Sequence, residues 1–178
     1  MPFRITSFNA QNKKSTGLID ALILQSNQKL YREFMKKIAL ASDHAGFTLK
    51  EIVKRILQNY DDIEVIDLGP VTAEQSVDYP DYAKKLAENL VDIGVLICGT
   101  GIGMSIAANR FKNVRASLCT TPEFAKLARA HNDANVLVLP GRFLNEEDAK
   151  ACLDVFLTTP FDGGRHQLRV EKLSKNGA

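Results

Sequence analysis

No part of this 178-residue chain stays apolar for the roughly 18–20 residues that a membrane-spanning helix needs. The patch Leu18-Ile19-Asp20-Ala21-Leu22-Ile23-Leu24 is broken by Asp20 and lacks a small-residue cleavage pattern, which argues against a secretory signal. Net charge is nearly absent too: 23 Lys/Arg against 21 Asp/Glu leave +2. Residues 1–34 carry five basic and two acidic side chains, whereas residues 35–178 carry 18 and 19. The larger part is therefore close to neutral and gives no electrostatic footprint for nucleic acid or a membrane surface. Cysteine is scarce, and Cys98, Cys119 and Cys152 are spaced for neither a disulfide framework nor zinc. They read as reduced thiols in a cytoplasmic protein. No His/Asp/Glu grouping has ligand spacing, so no metal is expected. Internal repeats, linkers and low-complexity tracts are missing as well. What is left, 45% hydrophobic and 25% charged, is one ordinary domain able to bury one sizeable core.

Residues 1–34 stand apart from it. They are polar, with a loop-like run at 9–16 and a candidate helix at 18–30, whereas Met35-Lys36-Lys37 ahead of a strand reads as a native start. The expectation is a dispensable or disordered N-terminal extension before a single domain at 35–178. From Lys36 onward, strand and helix patterns alternate. Ile38–Ala41 is the first strand, and Phe47–Leu57 is an amphipathic helix with apolar residues at 49, 52, 53, 56 and 57. Glu64–Leu68 is the second strand, stopped by Gly69-Pro70. Tyr79-Pro80 opens a helix running to Leu90, and Ile93–Ile97 is the third strand. A helix to Asn109 and a strand over Val114–Leu118 come next. Thr121-Pro122-Glu123 then combines a capping hydroxyl, a first-position proline and an early acid. Val136–Leu139 is the fifth strand, and Asn145 caps the last long helix, to about Leu157, with Glu146, Glu147 and Asp148 suiting its dipole. Five strands alternating with helices predict a five-stranded parallel sheet with helices on both faces.

The most informative stretch is Val95-Leu96-Ile97-Cys98-Gly99-Thr100-Gly101-Ile102-Gly103-Met104-Ser105. Its glycines let the backbone turn tightly between a strand and a helix and bring N–H groups close to a bound anion. The turn lies at the carboxyl end of a strand, where open α/β sheets hold their ligands. A nucleotide-binding module is one reading. Against it, the next strand ends Ser117-Leu118-Cys119 without an acid for a ribose hydroxyl, and no Lys-Ser/Thr pair follows the glycines. The other reading is chemical. Cys98, ahead of a helix N-terminus, suits a base beside a carbonyl. Thr100 and the amides can hold an oxygen that becomes negative. Arginines offer forked donors to a phosphate, and a histidine can exchange the proton that opens a sugar ring. Together these groups fit isomerisation between a phosphorylated aldose and its ketose. Asp43-His44 after the first strand and Arg142 after the fifth share the edge of Cys98. His131-Asn132-Asp133 precede the fifth strand and so belong to the opposite edge. Arg165 and Arg169, four apart and able to share one face, raise the same difficulty. Such residues either stay idle or complete a neighbouring subunit's site, as two-fold symmetry allows.

Five motifs carry a resemblance. Asp43-His44-Ala45-Gly46, Asp78-Tyr79-Pro80, the Cys98–Gly103 turn with Ser105-Ile106-Ala107-Ala108-Asn109, His131-Asn132-Asp133 and Gly163-Gly164-Arg165-His166 resemble those of type B ribose-5-phosphate isomerases. The match runs in order from residue 35 to about 172. It implies a Rossmann-like three-layer sandwich and a homodimer or dimer of dimers with sites shared between subunits. It also implies no cofactor or metal, and interconversion of ribose 5-phosphate and ribulose 5-phosphate in the pentose phosphate pathway. By position it makes Cys98 the base working between C1 and C2, and Thr100 with the Gly99, Gly101, Ile102 and Gly103 amides the enediolate holder. His131 becomes the ring-opening group and Asn132 a sugar ligand. Asp43 and His44 line the pocket, and Arg142, Arg165 and Arg169 grip the substrate, chiefly its phosphate. Some members use a glutamate as base where this chain has Met104, which favours Cys98 here. The same motifs resemble galactose-6-phosphate and allose-6-phosphate isomerases, so the carbon number of the sugar stays open. Cys119 and Cys152 read as buried packing, His166 as structural or at the rim, and Arg110 and Arg115 as surface.

Overall fold

The computed structural model describes residues 35–176; the expectation for residues 1–34 lies outside them. Strand β1 (Lys36–Ser42) pairs in parallel with β2 (Ile63–Asp67) on one side and β3 (Ile93–Cys98) on the other. Strand β5 (Val136–Pro140) pairs with β3, and β4 (Ala116–Leu118) closes the far edge, giving the order β2-β1-β3-β5-β4. The connections are helices α1 (Phe47–Leu57), α2 (Tyr79–Glu88), α3 (Ile102–Ala108) and α4 (Pro122–Asn132). Helices α5 (Glu146–Thr158) and α6 (Gln167–Asn176) follow the last strand.

Strand side chains alternate between two cores, as the pleat requires. Ile38, Leu40, Val95, Ile97, Leu137 and Leu139 pack with α1, α4 and α5. Ala39, Ala41, Leu96, Cys98, Val136 and Val138 pack with α2 and α3. The result is the expected Rossmann-like, three-layer α/β architecture.

Two elements differ from the sequence pattern. Strand β4 is only three residues long, and its open side is occupied by Asn109. That amide accepts the Ala116 N–H at 2.9 Å and donates to the Ala116 carbonyl at 2.8 Å. A side chain thus covers backbone groups that an edge would otherwise leave exposed. Helix α6 was not legible in the tail, because Gly163 and Gly164 precede it. Both adopt positive φ, +63° and +53°, and open a 3₁₀ turn (Gly164–His166) that feeds directly into the helix. The glycine pair that marks a loop in sequence here makes the corner between α5 and α6.

The strand order places the topological switch between β1 and β3, from which the chain leaves in opposite directions. Open α/β sheets carry their ligand crevice at that point, beyond the carboxyl ends. Asp43 follows β1 and Cys98 ends β3, so the fold itself sets these two candidates side by side.

Candidate active site

At the carboxyl edge the loops after β1, β3 and β5 touch backbone to backbone. A Cβ on Gly46 would stand 2.5 Å from the Ile97 carbonyl oxygen, and one on Gly141 would stand 3.1 Å from Gly46 Cα. The Asp43 N–H donates to the Ile97 carbonyl at 3.1 Å, and the Gly141 and Arg142 N–H groups donate to Cys98 and Gly99 at 2.8 and 3.1 Å. Asp43 is buried, and its Oδ1 accepts the Gly46 N–H at 2.8 Å, closing its own turn. His44 sets Nδ1 3.2 Å from both the N–H and the carbonyl of Val77, tying the first loop to the segment before α2.

The Cys98–Gly103 turn rises from this base. Cys98 is 4% exposed, and its Sγ accepts the Gly101 N–H at 3.2 Å. Gly101 lies at φ +74°, a conformation that favours glycine, and a Cβ there would also press on Leu118 Cδ1 at 2.3 Å. Thr100 is exposed and accepts the Ile102 N–H through Oγ1 at 3.3 Å. Ile102 is also exposed and opens α3, whereas Met104 faces inward and is fully buried. The Arg142 guanidinium lies against Gly99, where a Cβ would be 3.3 Å from Nε. Tyr79 opens its helix, as expected. In the structure its ring covers Gly103 so closely that a Cβ would stand 2.7 Å from Cζ.

The remaining candidates collect at the other edge. His131 and Asn132 end α4, and Asp133 turns the chain at φ +46° toward the start of β5. That turn is clamped. Asp133 receives Arg115 at 2.6 Å and Arg129 at 3.1 Å, and Arg115 Nε also donates to the Asp133 carbonyl at 2.7 Å. Arg115 is therefore a half-buried structural partner rather than a surface residue. The His131 ring stacks face to face on His166, with centroids 4.3 Å apart and planes 5° from parallel. Arg165 Nε donates to His166 Nε2 at 3.3 Å, and Asp162 Oδ2 stands 4.0 Å from His131 Nε2. Burial, helped by the charges of His131, Arg165 and Arg169 and opposed by Asp162, lowers the pKa of His166. Arg165 and Arg169 are both exposed beside the pair. A hollow of about 480 Å³ nearby is lined by Asn132, Arg115, Arg110 and Leu173, but by no residue of the Cys98–Gly103 turn.

Within one chain the candidates thus form two groups at opposite ends of β3 and β5, separated by about five extended residues, or roughly 15 Å. The other two thiols belong to neither group. Burial raises the pKa of Cys119, and it pushes Cys152 up to about 11, with Cys119 and Asp148 adding to the rise. Both behave as packing residues, as the sequence reading expected.

Residues 38–173 match the ribose/galactose isomerase family. The chain belongs to that family. It is 48% identical over 145 residues to ribose-5-phosphate isomerase B of Escherichia coli K12, a match covering 79% of this chain and 95% of that protein. A crystal structure of a ribose 5-phosphate isomerase from Thermotoga maritima superposes with a TM-score of 0.75 at 57% identity, covering 78% and 97% of the two chains. Ribose 5-phosphate isomerase B from Anaplasma phagocytophilum gives 0.74 at 50% identity, covering 79% and 97%. As a member of this family the protein is an isomerase. Among its described residues no helix is long and apolar enough to cross a membrane.

Proposed function

We propose that this isomerase interconverts ribose 5-phosphate and ribulose 5-phosphate through an enediolate, with Cys98 as the base. The observation that supports the reading most directly is the Cys98 sulfur, held at the β1/β3 switch point with the Gly101 N–H on it at 3.2 Å. His131 opens the furanose by moving a proton from the anomeric hydroxyl to the ring oxygen. Cys98 then takes the C2 proton of the open aldose, and the electron pair flows toward the C1 carbonyl oxygen. The Thr100 hydroxyl and the amides of Gly99, Gly101, Ile102 and Gly103 receive that negative charge; donors so placed contribute on the order of 10²–10³ in rate each. Return of the proton from sulfur to C1, with movement of the O2 hydroxyl proton to O1, yields the ketose. Asp43, His44 and Asn132 bind the sugar, and Arg142, Arg165 and Arg169 hold the phosphate.

One chain leaves His131, Asn132, Arg165 and Arg169 at the far edge from Cys98, so the reading requires a homodimer, alone or paired into a tetramer. Each site takes its sulfur from one copy and its imidazole from the other. Such an enzyme works in the cytoplasm and requires no cofactor or metal. The family name spans five- and six-carbon sugars, and the 48% identity to an enzyme named for the pentose favours ribose 5-phosphate. The test is turnover of ribose 5-phosphate in heavy water, with galactose 6-phosphate and allose 6-phosphate as competitors. The expected result is pentose preference and solvent deuterium at C1 of the ketose. Preference for a hexose phosphate would reassign the substrate, and a product free of solvent deuterium would replace the enediolate with hydride transfer.

A further inference from the structure

His166, expected to be structural or at the rim, is 9% exposed and lies flat beneath the more accessible His131. We infer that His166 is a positioning residue for His131, holding the ring-opening imidazole in one plane. This rests on the role proposed for His131 and adds a second residue to it.

The geometry gives the stack two functions. The first is orientation. His131 sits on the last turn of α4, at the edge of a corner, and its ion-pair neighbour among the described residues, Asp162, is 4.0 Å away and exposed. A contact that long fixes no ring plane, whereas a parallel face 4.3 Å away removes rotation about the side chain's second torsion. The second is charge. Arg165 donates its Nε–H to His166 Nε2, so that nitrogen is the acceptor and the ring proton of neutral His166 resides on Nδ1. Protonating His166 would set a cation against Arg165, Arg169 and any charge on His131, with only Asp162 opposing it. Burial and these charges thus disfavour a cation on the inner ring of the stack. His131, the more accessible ring of the two, is the one open to an arriving substrate. The Gly163-Gly164 corner gives this a structural cause: both glycines at positive φ turn the chain so that the residue two places on points back at α4. Asp162 N–H, bonded to the Ala130 carbonyl at 2.9 Å, fastens the start of that corner to the helix carrying His131.

The experiment uses the full-length protein, wild type and the variants His166→Ala, His166→Phe and His131→Phe. Steady-state rates on ribose 5-phosphate are combined with proton NMR titration of the three histidine rings in ligand-free protein. His166→Ala should lower kcat about tenfold or more while KM changes by less than about twofold, in keeping with the cost of a misplaced acid–base group. His166→Phe keeps the flat face and should recover most of the lost kcat. His131→Phe keeps the stack but removes one charge, and should raise the titration midpoint of His166. Equal kcat losses in the Ala and Phe variants, a rise in KM alone, or an unmoved His166 midpoint would each overturn the inference. If the Ala variant fails to fold, the Phe variant and the midpoint still decide it. A wild type inactive on ribose 5-phosphate would refute the functional reading instead, and the midpoint shift, measured without substrate, would still judge the stack.

Discussion

The two edges of the sheet are built from different materials. At the carboxyl edge the groups that meet are largely backbone: the Gly101 amide on the Cys98 sulfur, the Gly46 and Gly141 main chains against each other, and the Asp43 N–H on the Ile97 carbonyl. At the amino edge they are side chains: Asp133 between Arg115 and Arg129, and His131 on His166 beside Arg165. A backbone nest is fixed as soon as the strands pair, and it suits a charge that develops at one atom. A cluster of side chains can be rearranged by a partner, and it suits recognition of a group arriving from outside. The contrast follows from the fold. Carboxyl-edge loops at a switch point are short and packed against strand ends, whereas the amino edge receives helix C-termini and the α5–α6 corner, where long side chains have room.

If the two edges are halves of one site, removing either should be equally fatal and mixing the two defects should repair them. Cys98→Ala should lower kcat by about 10³-fold or more, because it removes the base proposed for the C2 proton; a loss under tenfold would unseat the sulfur. His131→Ala should fall nearly as far on ribose 5-phosphate, and much less on an aldose phosphate too short to close a ring. Co-folding the two variants should restore about a quarter of wild-type activity, since half the random dimers carry one intact site of two. No restoration would confine each site to one chain and break the comparison. Next in size, Arg165→Ala and Arg169→Ala should each raise KM on the order of tenfold or more, as loss of a charge-assisted contact to phosphate would, with kcat less affected. An unchanged KM in both would move the phosphate to another part of the molecule.

The carboxyl edge was the more legible of the two, for a physical reason. Glycines at fixed offsets have few explanations, and Cys98 ending an apolar run ahead of them placed a thiol at a strand end before any coordinates were known. Capping residues marked the helix starts at Thr121 and Asn145, and both side chains accept the N–H three residues on. The amino edge was visible as motifs but not as geometry. Nothing in His131-Asn132-Asp133 announces that the aspartate is clamped by Arg115, eighteen residues upstream, because ion pairs between distant segments leave no period. The His131–His166 stack was invisible for the same reason, and Gly163-Gly164 concealed α6 by reading as the end of structure. That the Tyr79 ring covers Gly103 was not legible, because the two are far apart in sequence and a glycine contributes only an absence.

Asp133 sharpens the contrast at a smaller scale. If the amino edge depends on side-chain bonds, Asp133→Ala should destabilise the fold by about 1–3 kcal/mol, the two partly exposed ion pairs being discounted for solvent. Alanine at φ +46° adds strain that asparagine avoids, so Asp133→Asn should cost less. Chemical denaturation measures both; equal stability of the Ala variant and wild type would show the clamp to be ornamental.

The smallest expected effect tests the carboxyl edge where it breaks its own pattern. Asp67, at the end of β2, is an ionic device among backbone contacts: it accepts Lys50 at 3.0 Å, Lys54 at 2.6 Å and the Gly69 N–H at 3.0 Å. Gly69 in turn accepts the Ser42 N–H at 3.0 Å, one residue before Asp43, so the cluster holds the loop beside the site. Burial pushes the Asp67 pKa upward, but Lys54, the Gly69 N–H and Lys50 outweigh it and leave the carboxyl below its ordinary value. A folded pKa below the unfolded one means that the unfolded chain binds the proton first as pH falls. The stabilisation is therefore complete above the unfolded aspartate value and disappears as pH drops through the folded one. Lys54 has the opposite sign: its pKa is raised, chiefly by Asp67, so its share is complete below the ordinary lysine value and is lost as pH climbs through the raised one. The contribution of this pair should thus be flat between these limits, with Asp67→Asn lower there than wild type and less steep on the acid side. Melting temperatures across the acid range check it. An Asn variant that parallels wild type throughout would show that the acid limb originates in other carboxylates, and that the loop beside Asp43 is held by its backbone bonds alone.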